Sequence, residues 1–165
     1  MASITLLTVP AGFVVGSGAK ASEAGHGYSN EPVTRPWNGT WNGVTTVYGS
    51  CANGGLLGVD SGTGQAEHMG SSTHLSTYCL DPVTLTGSGI GVETAANGDE
   101  LYFRLTLQIT VTSASGGIWR EAETVMGGTG RFAGATGSST SSGTFTFTSP
   151  TTTVWEGTHT GTLTY

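Results

Sequence analysis

The chain has 165 residues, one domain's worth on the usual scale of about 100–200 residues. Glycine supplies 28 residues and charged residues only 10%, which excludes a charged helical bundle or coiled coil, while 36% hydrophobic residues exclude a low-hydrophobicity disordered chain. The formal net charge is -6, and the five bases Lys20, Arg35, Arg104, Arg120 and Arg131 stand singly, so no basic patch exists for a nucleic-acid backbone.

Residues 3–19, SITLLTVPAGFVVGSGA, form an apolar stretch ahead of Ala19-Lys20-Ala21, a small-x-small pattern of the type signal peptidases cut. Pro10 and Gly12 interrupt it, and it falls short of the roughly 20 apolar residues of a transmembrane helix, so no transmembrane span is expected. Residues 1–21 therefore read as a signal peptide, an N-terminal strand or a docking arm for another copy. Residues 22–36 carry two prolines and no periodicity, as a linker would, and a β domain is expected over 37–165.

Strand signals then follow in order. Segments 40–49 and 66–79 are strand candidates, and 83–95 is a further one, joined through Ala96-Asn97-Gly98-Asp99 to the next. Asn-Gly is a strong hairpin signal because both residues tolerate positive φ. In 100–112, ELYFRLTLQITVT, the odd positions Leu101 to Val111 are all apolar and the even ones mostly polar, which predicts a half-buried strand. Segment 117–126 places Trp119, Glu121, Glu123 and Val125 on one face. Segments 143–148 and 153–165 alternate again across a turn at Ser149-Pro150. Seven or eight short strands with turn chemistry between them predict an all-β fold, a single antiparallel barrel or sandwich. Gly87, Gly89 and Gly91 share one strand face, as do Gly157 and Gly161, which favours a closed barrel because small residues let a sheet coil tightly.

The two cysteines, Cys51 and Cys79, lie 28 positions apart with no CxxC. An even count in a chain with an export-like leader predicts one disulfide, the alternative being two separate buried thiols. The four histidines show no metal-ligand spacing, and no cofactor motif is present, so neither metal nor cofactor is expected. No GxSxG elbow supports a serine hydrolase. Glu121 and Glu123 beside Trp119 read as solvated carboxylates, with a cavity acid of raised pKa as the alternative. His159 shares a face with Trp155, Gly157 and Gly161, and reads as a satisfied or exposed histidine, with a cavity position as the alternative.

The run Gly127-Gly128-Thr129-Gly130-Arg131-Phe132-Ala133-Gly134-Ala135-Thr136-Gly137 resembles the GGTGxFxGAxG segment of the superfamily that holds plant allene oxide cyclases, dirigent proteins and exported bacterial proteins. The preceding TAANGDELYF at 94–103 is similar to the bacterial members, and the resemblance spans roughly 83–165. It implies an eight-stranded barrel in which Gly127, Gly128, Gly130, Phe132 and Gly134 form a structural loop, Phe132 plugging one end. In that superfamily the chemistry belongs to cavity-lining residues outside this segment, so the resemblance implies fold and leaves activity to the other residues. No GK[ST] and no helix-forming sequence follow the glycines, which argues against a phosphate cradle.

The leading functional expectation is a non-catalytic exported barrel, secreted or at the cell surface. It would act as a structural or self-assembling component whose copies join through the N-terminal segment. The alternatives are a barrel binding a small apolar ligand, lined by Trp119, Glu121, Trp155 and His159, and a cofactor-independent cyclase or isomerase using Glu121 or His159 for proton transfer.

Overall fold

The computed structural model describes residues 31–165, which form eight strands and one 3-10 turn at Gly130–Phe132. The strands are β1 (Thr34–Ser50), β2 (Leu56–Ala66), β3 (Gly70–Leu80), β4 (Thr86–Thr94), β5 (Glu100–Ser113), β6 (Gly116–Gly128), β7 (Thr136–Ser149) and β8 (Thr152–Thr164). Each pairs antiparallel with its sequence neighbours, and β8 pairs with β1 from Thr34↔Thr164 to Thr46↔Thr152, closing the barrel. Closure satisfies the edges that a Thr-rich, weakly charged sheet would otherwise expose. The N-terminal segment 1–21 and linker residues 22–30 lie outside the described residues, and β1 begins at Thr34, three positions before the expected domain start.

The strand alternation is realised as read. Leu101, Phe103, Leu105 and Leu107 of β5 are buried in the barrel, while Arg104, Thr106 and Gln108 are exposed outside. Two expected segments are corrected. The stretch 66–79 is not one strand: Ala66 ends β2, a turn follows, and β3 starts at Gly70. Strand β2 itself was not expected, because the glycines of LLGVDSGTGQA dilute its alternation, and β7 begins at Thr136 rather than 143 because its inward side chains there are hydroxyls, Ser139 and Ser141.

The interior glycines make room for rings. A Cβ on Gly64 would come 2.5 Å from the Trp41 ring, one on Gly58 2.4 Å from Tyr78, and one on Gly91 2.3 Å from Phe103. Trp155 likewise lies over Gly43 and Gly62, and Trp119 over Gly157, at 2.4–2.8 Å from the Cβ positions. A side-chain-bearing residue at any of these sites would displace an aromatic ring or the strand beneath it.

The two barrel ends differ. At one end Trp37, Trp41, Met69, Leu101, Val125, Phe132 and Leu163 form a closed apolar layer. Phe132 is fully buried and meets Tyr165 edge-on at 5.2 Å. Its loop is tied across this end: Arg131 Nη2 donates to the His68 carbonyl at 2.8 Å, and Arg131 Nε lies 3.9 Å from Asp99 Oδ2. Gly130 and Gly134 adopt φ of +53° and +75°, and a Cβ on Gly128 would lie 2.1 Å from the Glu100 carbonyl oxygen. At the opposite end Cys51 and Cys79 form a disulfide that ties the end of β1 to β3.

Candidate functional site

The inward faces of the strands enclose a cavity of about 260 Å³. Its upper wall is apolar, with Val47, Leu56, Leu80, Leu107, Ile109 and Phe145 contributed by five strands. Val111 and Phe147 line it too and are nearly half exposed, which places them at an open rim. Leu85 also lines this region, with a φ of +56° that is strained for a leucine. Its backbone is held there by the Asp81 carbonyl and by Ile109 N–H, each at 2.9 Å.

Deeper in, the lining turns ionisable. Asp60 on β2, His74 on β3, Glu93 on β4, Glu121 and Glu123 on β6 and His159 on β8 all face the cavity. Each occupies the inward parity of its strand. Glu93 continues the face of Gly87, Gly89 and Gly91, and His159 that of Trp155, Gly157 and Gly161. Glu93, Glu123 and His159 are 1%, 4% and 2% exposed, values rare for such groups unless they are paired. No lysine or arginine among the described residues lines the cavity.

Hydrogen bonding answers only part of this polarity. Thr45 Oγ1 donates to Asp60 Oδ1, Ser139 Oγ donates to Glu123 Oε2, and His74 Nδ1 lies 3.8 Å from Glu93 Oε1. Glu93 Oε2, His159 Nε2 and the indole nitrogens of Trp41 and Trp155 are buried without a partner. Aromatic rings frame the group: His74 stands 5.8 Å from Trp41, 5.5 Å from Phe103 and 6.0 Å from Trp155, and His159 meets Trp37 edge-on at 4.5 Å.

Burial governs the acidities here. It pushes Asp60 up to about 6, against the Thr45 hydrogen bond and the charge of His74 that hold it down. Glu93 is raised by burial first, with His74 opposing and the Glu123 charge adding. Glu121 is raised well above the carboxylate range by burial and then by its neighbour Glu123. His159 is lowered by burial, which outweighs the attraction of Glu123, and so favours the neutral imidazole. For His74 burial acts downward, but the adjacent Glu93 carboxylate, with Glu123 and Asp60 behind it, raises it overall.

The sequence candidates thus meet in one place. Trp119, Glu121, Trp155 and His159 all line the cavity. The reading of Glu121 and Glu123 as solvated carboxylates is corrected, because barrel closure turns their face inward. The reading of His159 as satisfied or exposed is corrected as well, since its Nε2 is buried and unpartnered. Tyr102 and Arg104 point outward, where the Tyr102 hydroxyl donates to Glu100 Oε2 at 2.6 Å. Sequence reasoning missed Asp60, His74, Glu93 and Trp41. For Glu93 a signal existed in its shared parity with three glycines, but Asp60 sits in the strand whose glycines hid it. No family model, curated protein or solved structure matches the chain.

Proposed function

We propose that this barrel binds one small, largely apolar molecule, end-on, with a polar or cationic group directed at the ionisable floor. The observation that carries this reading is the 260 Å³ cavity, apolar at its rim and ending on buried polar atoms without partners. Its volume exceeds the roughly 150 Å³ apolar cavity that accepts benzene and lies just under the usual ligand-pocket range of about 300–1,000 Å³, a size for a single small ligand. Four carboxyl groups and no lysine or arginine disfavour anionic ligands.

Self-assembly through the N-terminal segment would use residues outside the described part, and the barrel itself offers the cavity. A cyclase or isomerase would start from the same bound state. The disulfide together with the leader pattern supports an extracellular setting.

The test is fluorescence titration with neutral N-phenyl-1-naphthylamine, beside anionic 1-anilinonaphthalene-8-sulfonate. Saturable one-to-one binding of the neutral probe is expected, at least about tenfold tighter than the anion and lost in Ser141→Phe, which fills the cavity. Equal binding of both probes, or unchanged binding in a folded Ser141→Phe protein, would refute the reading.

A further inference from the structure

We propose that Glu93, Glu123 and His159 form a binding site for one divalent first-row transition-metal ion at the floor of the cavity. This goes beyond ligand binding and does not depend on it. The three residues come from β4, β6 and β8, and one ligating atom of each lies within 4.8 Å of the other two. An ion equidistant from three atoms at that separation would sit at most about 2.8 Å from each. Metal bonds to imidazole nitrogen and carboxylate oxygen are about 2.0–2.2 Å, so a contraction of under about 0.8 Å per atom completes the site.

The imidazole and one of the carboxylates each present a buried polar atom toward this trio without a hydrogen bond. His159 Nε2 and Glu93 Oε2 are both buried with no hydrogen bond, although a lone pair left unmatched in a protein interior is costly. A cation between them satisfies both, and it offsets the negative charge that no lysine or arginine lining the cavity answers among the described residues. Each ligand also has a neighbour outside the trio. His74 stands against the other oxygen of Glu93, Ser139 donates to Glu123 Oε2, and the Trp37 ring packs edge-on against His159. Such outer contacts are what orient metal ligands and fix their free lone pairs.

The donor set selects the ion. One imidazole and two carboxylates suit Zn²⁺, Mn²⁺, Fe²⁺ or Co²⁺, whereas Ca²⁺ and Mg²⁺ prefer all-oxygen sets and Cu⁺ prefers sulfur. Both cysteines are tied up in the disulfide and supply no thiolate. Three protein ligands leave at least one position toward the cavity, open to water or to a polar group of a bound molecule.

The test uses the full chain, oxidised and stripped with a chelator. Zn²⁺ is titrated by calorimetry and Co²⁺ by its visible d–d absorption. One ion per chain is expected, with Mg²⁺ unable to compete. Glu123→Gln and His159→Gln should each weaken Zn²⁺ at least about 100-fold, and Ser139→Ala about 10- to 100-fold. The double variant His26→Ala/His68→Ala should bind as the wild type does. Circular dichroism of each metal-free variant confirms folding, and the wild-type titration and Co²⁺ spectrum stand even if a variant fails to fold. Absence of saturable binding to wild type, undiminished binding in folded His159→Gln, or loss of binding in the double variant overturns the proposal. Neutral-probe binding on the same metal-free samples separates the two readings: probe binding without metal binding overturns the metal site alone.

Discussion

Replacing Asp60 by Asn should make the barrel more stable at neutral pH and leave it unchanged in acid. Asp60 lines the cavity and accepts a hydrogen bond from Thr45, and burial raises its pKa from 3.8 to about 6. The folded protein therefore holds this proton more tightly than the unfolded chain does. The stabilisation is complete below pH 3.8 and is lost as pH rises through about 6. At about 1.4 kcal/mol per tenfold change in proton affinity, the loss reaches about 3 kcal/mol. Asn keeps the shape and can still accept from Thr45, but it carries no charge to bury. Urea denaturation of oxidised wild type and Asp60→Asn, with chelator present, should give equal stabilities near pH 3.5. The variant should then gain progressively between pH 4 and 6.5, to at most about 3 kcal/mol. A difference that stays constant across this range would refute the reasoning, because a pH-independent effect cannot come from the buried charge.

Other consequences are open to measurement. Removing the disulfide by Cys51→Ser/Cys79→Ser frees a 28-residue separation, which in the chain-entropy treatment costs about 3.5 kcal/mol and should lower the denaturation midpoint with little change in far-ultraviolet dichroism. Phe132→Ala removes a fully buried ring from the closed end and should destabilise by about 3–5 kcal/mol, while neutral-probe affinity measured below the transition stays within a few fold because the cavity lies beyond that layer. Saturating Zn²⁺ should raise the melting temperature of the wild type, and the increment should vanish in His159→Gln; at 100 times the dissociation constant the gain is about 2.7 kcal/mol.

How far the site was legible depends on which property each residue expresses. Leu101 to Leu107 announce β5 because alternation is a local, period-two feature that neighbours in sequence carry among themselves. The same parity put Trp119, Glu121 and Glu123 together, and Trp155 with His159, and both groupings hold in the barrel. What parity does not state is which face becomes the inside. Glu121 and Glu123 alternate identically whether they meet water or a cavity, and only the pairing of β6 with both β5 and β7 around a closed sheet decides it. Strand β2 escaped notice for a related reason. Gly58, Gly62 and Gly64 hold no apolar side chain of their own, since Tyr78, Trp155 and Trp41 from other strands cover them.

By itself, the sequence determined an all-β chain of short alternating strands, the glycine-rich loop anchored by Phe132, and two cysteines available to pair. These are short-range properties of backbone preference and periodicity. The tertiary structure alone decided that Asp60, His74, Glu93, Glu123 and His159, drawn from five strands and spread over a hundred positions, share one buried floor. Closing the barrel is what sets those distances, because register between strands remote in the chain is fixed by the ladder and the fit of ring over glycine rather than by any spacing along the chain.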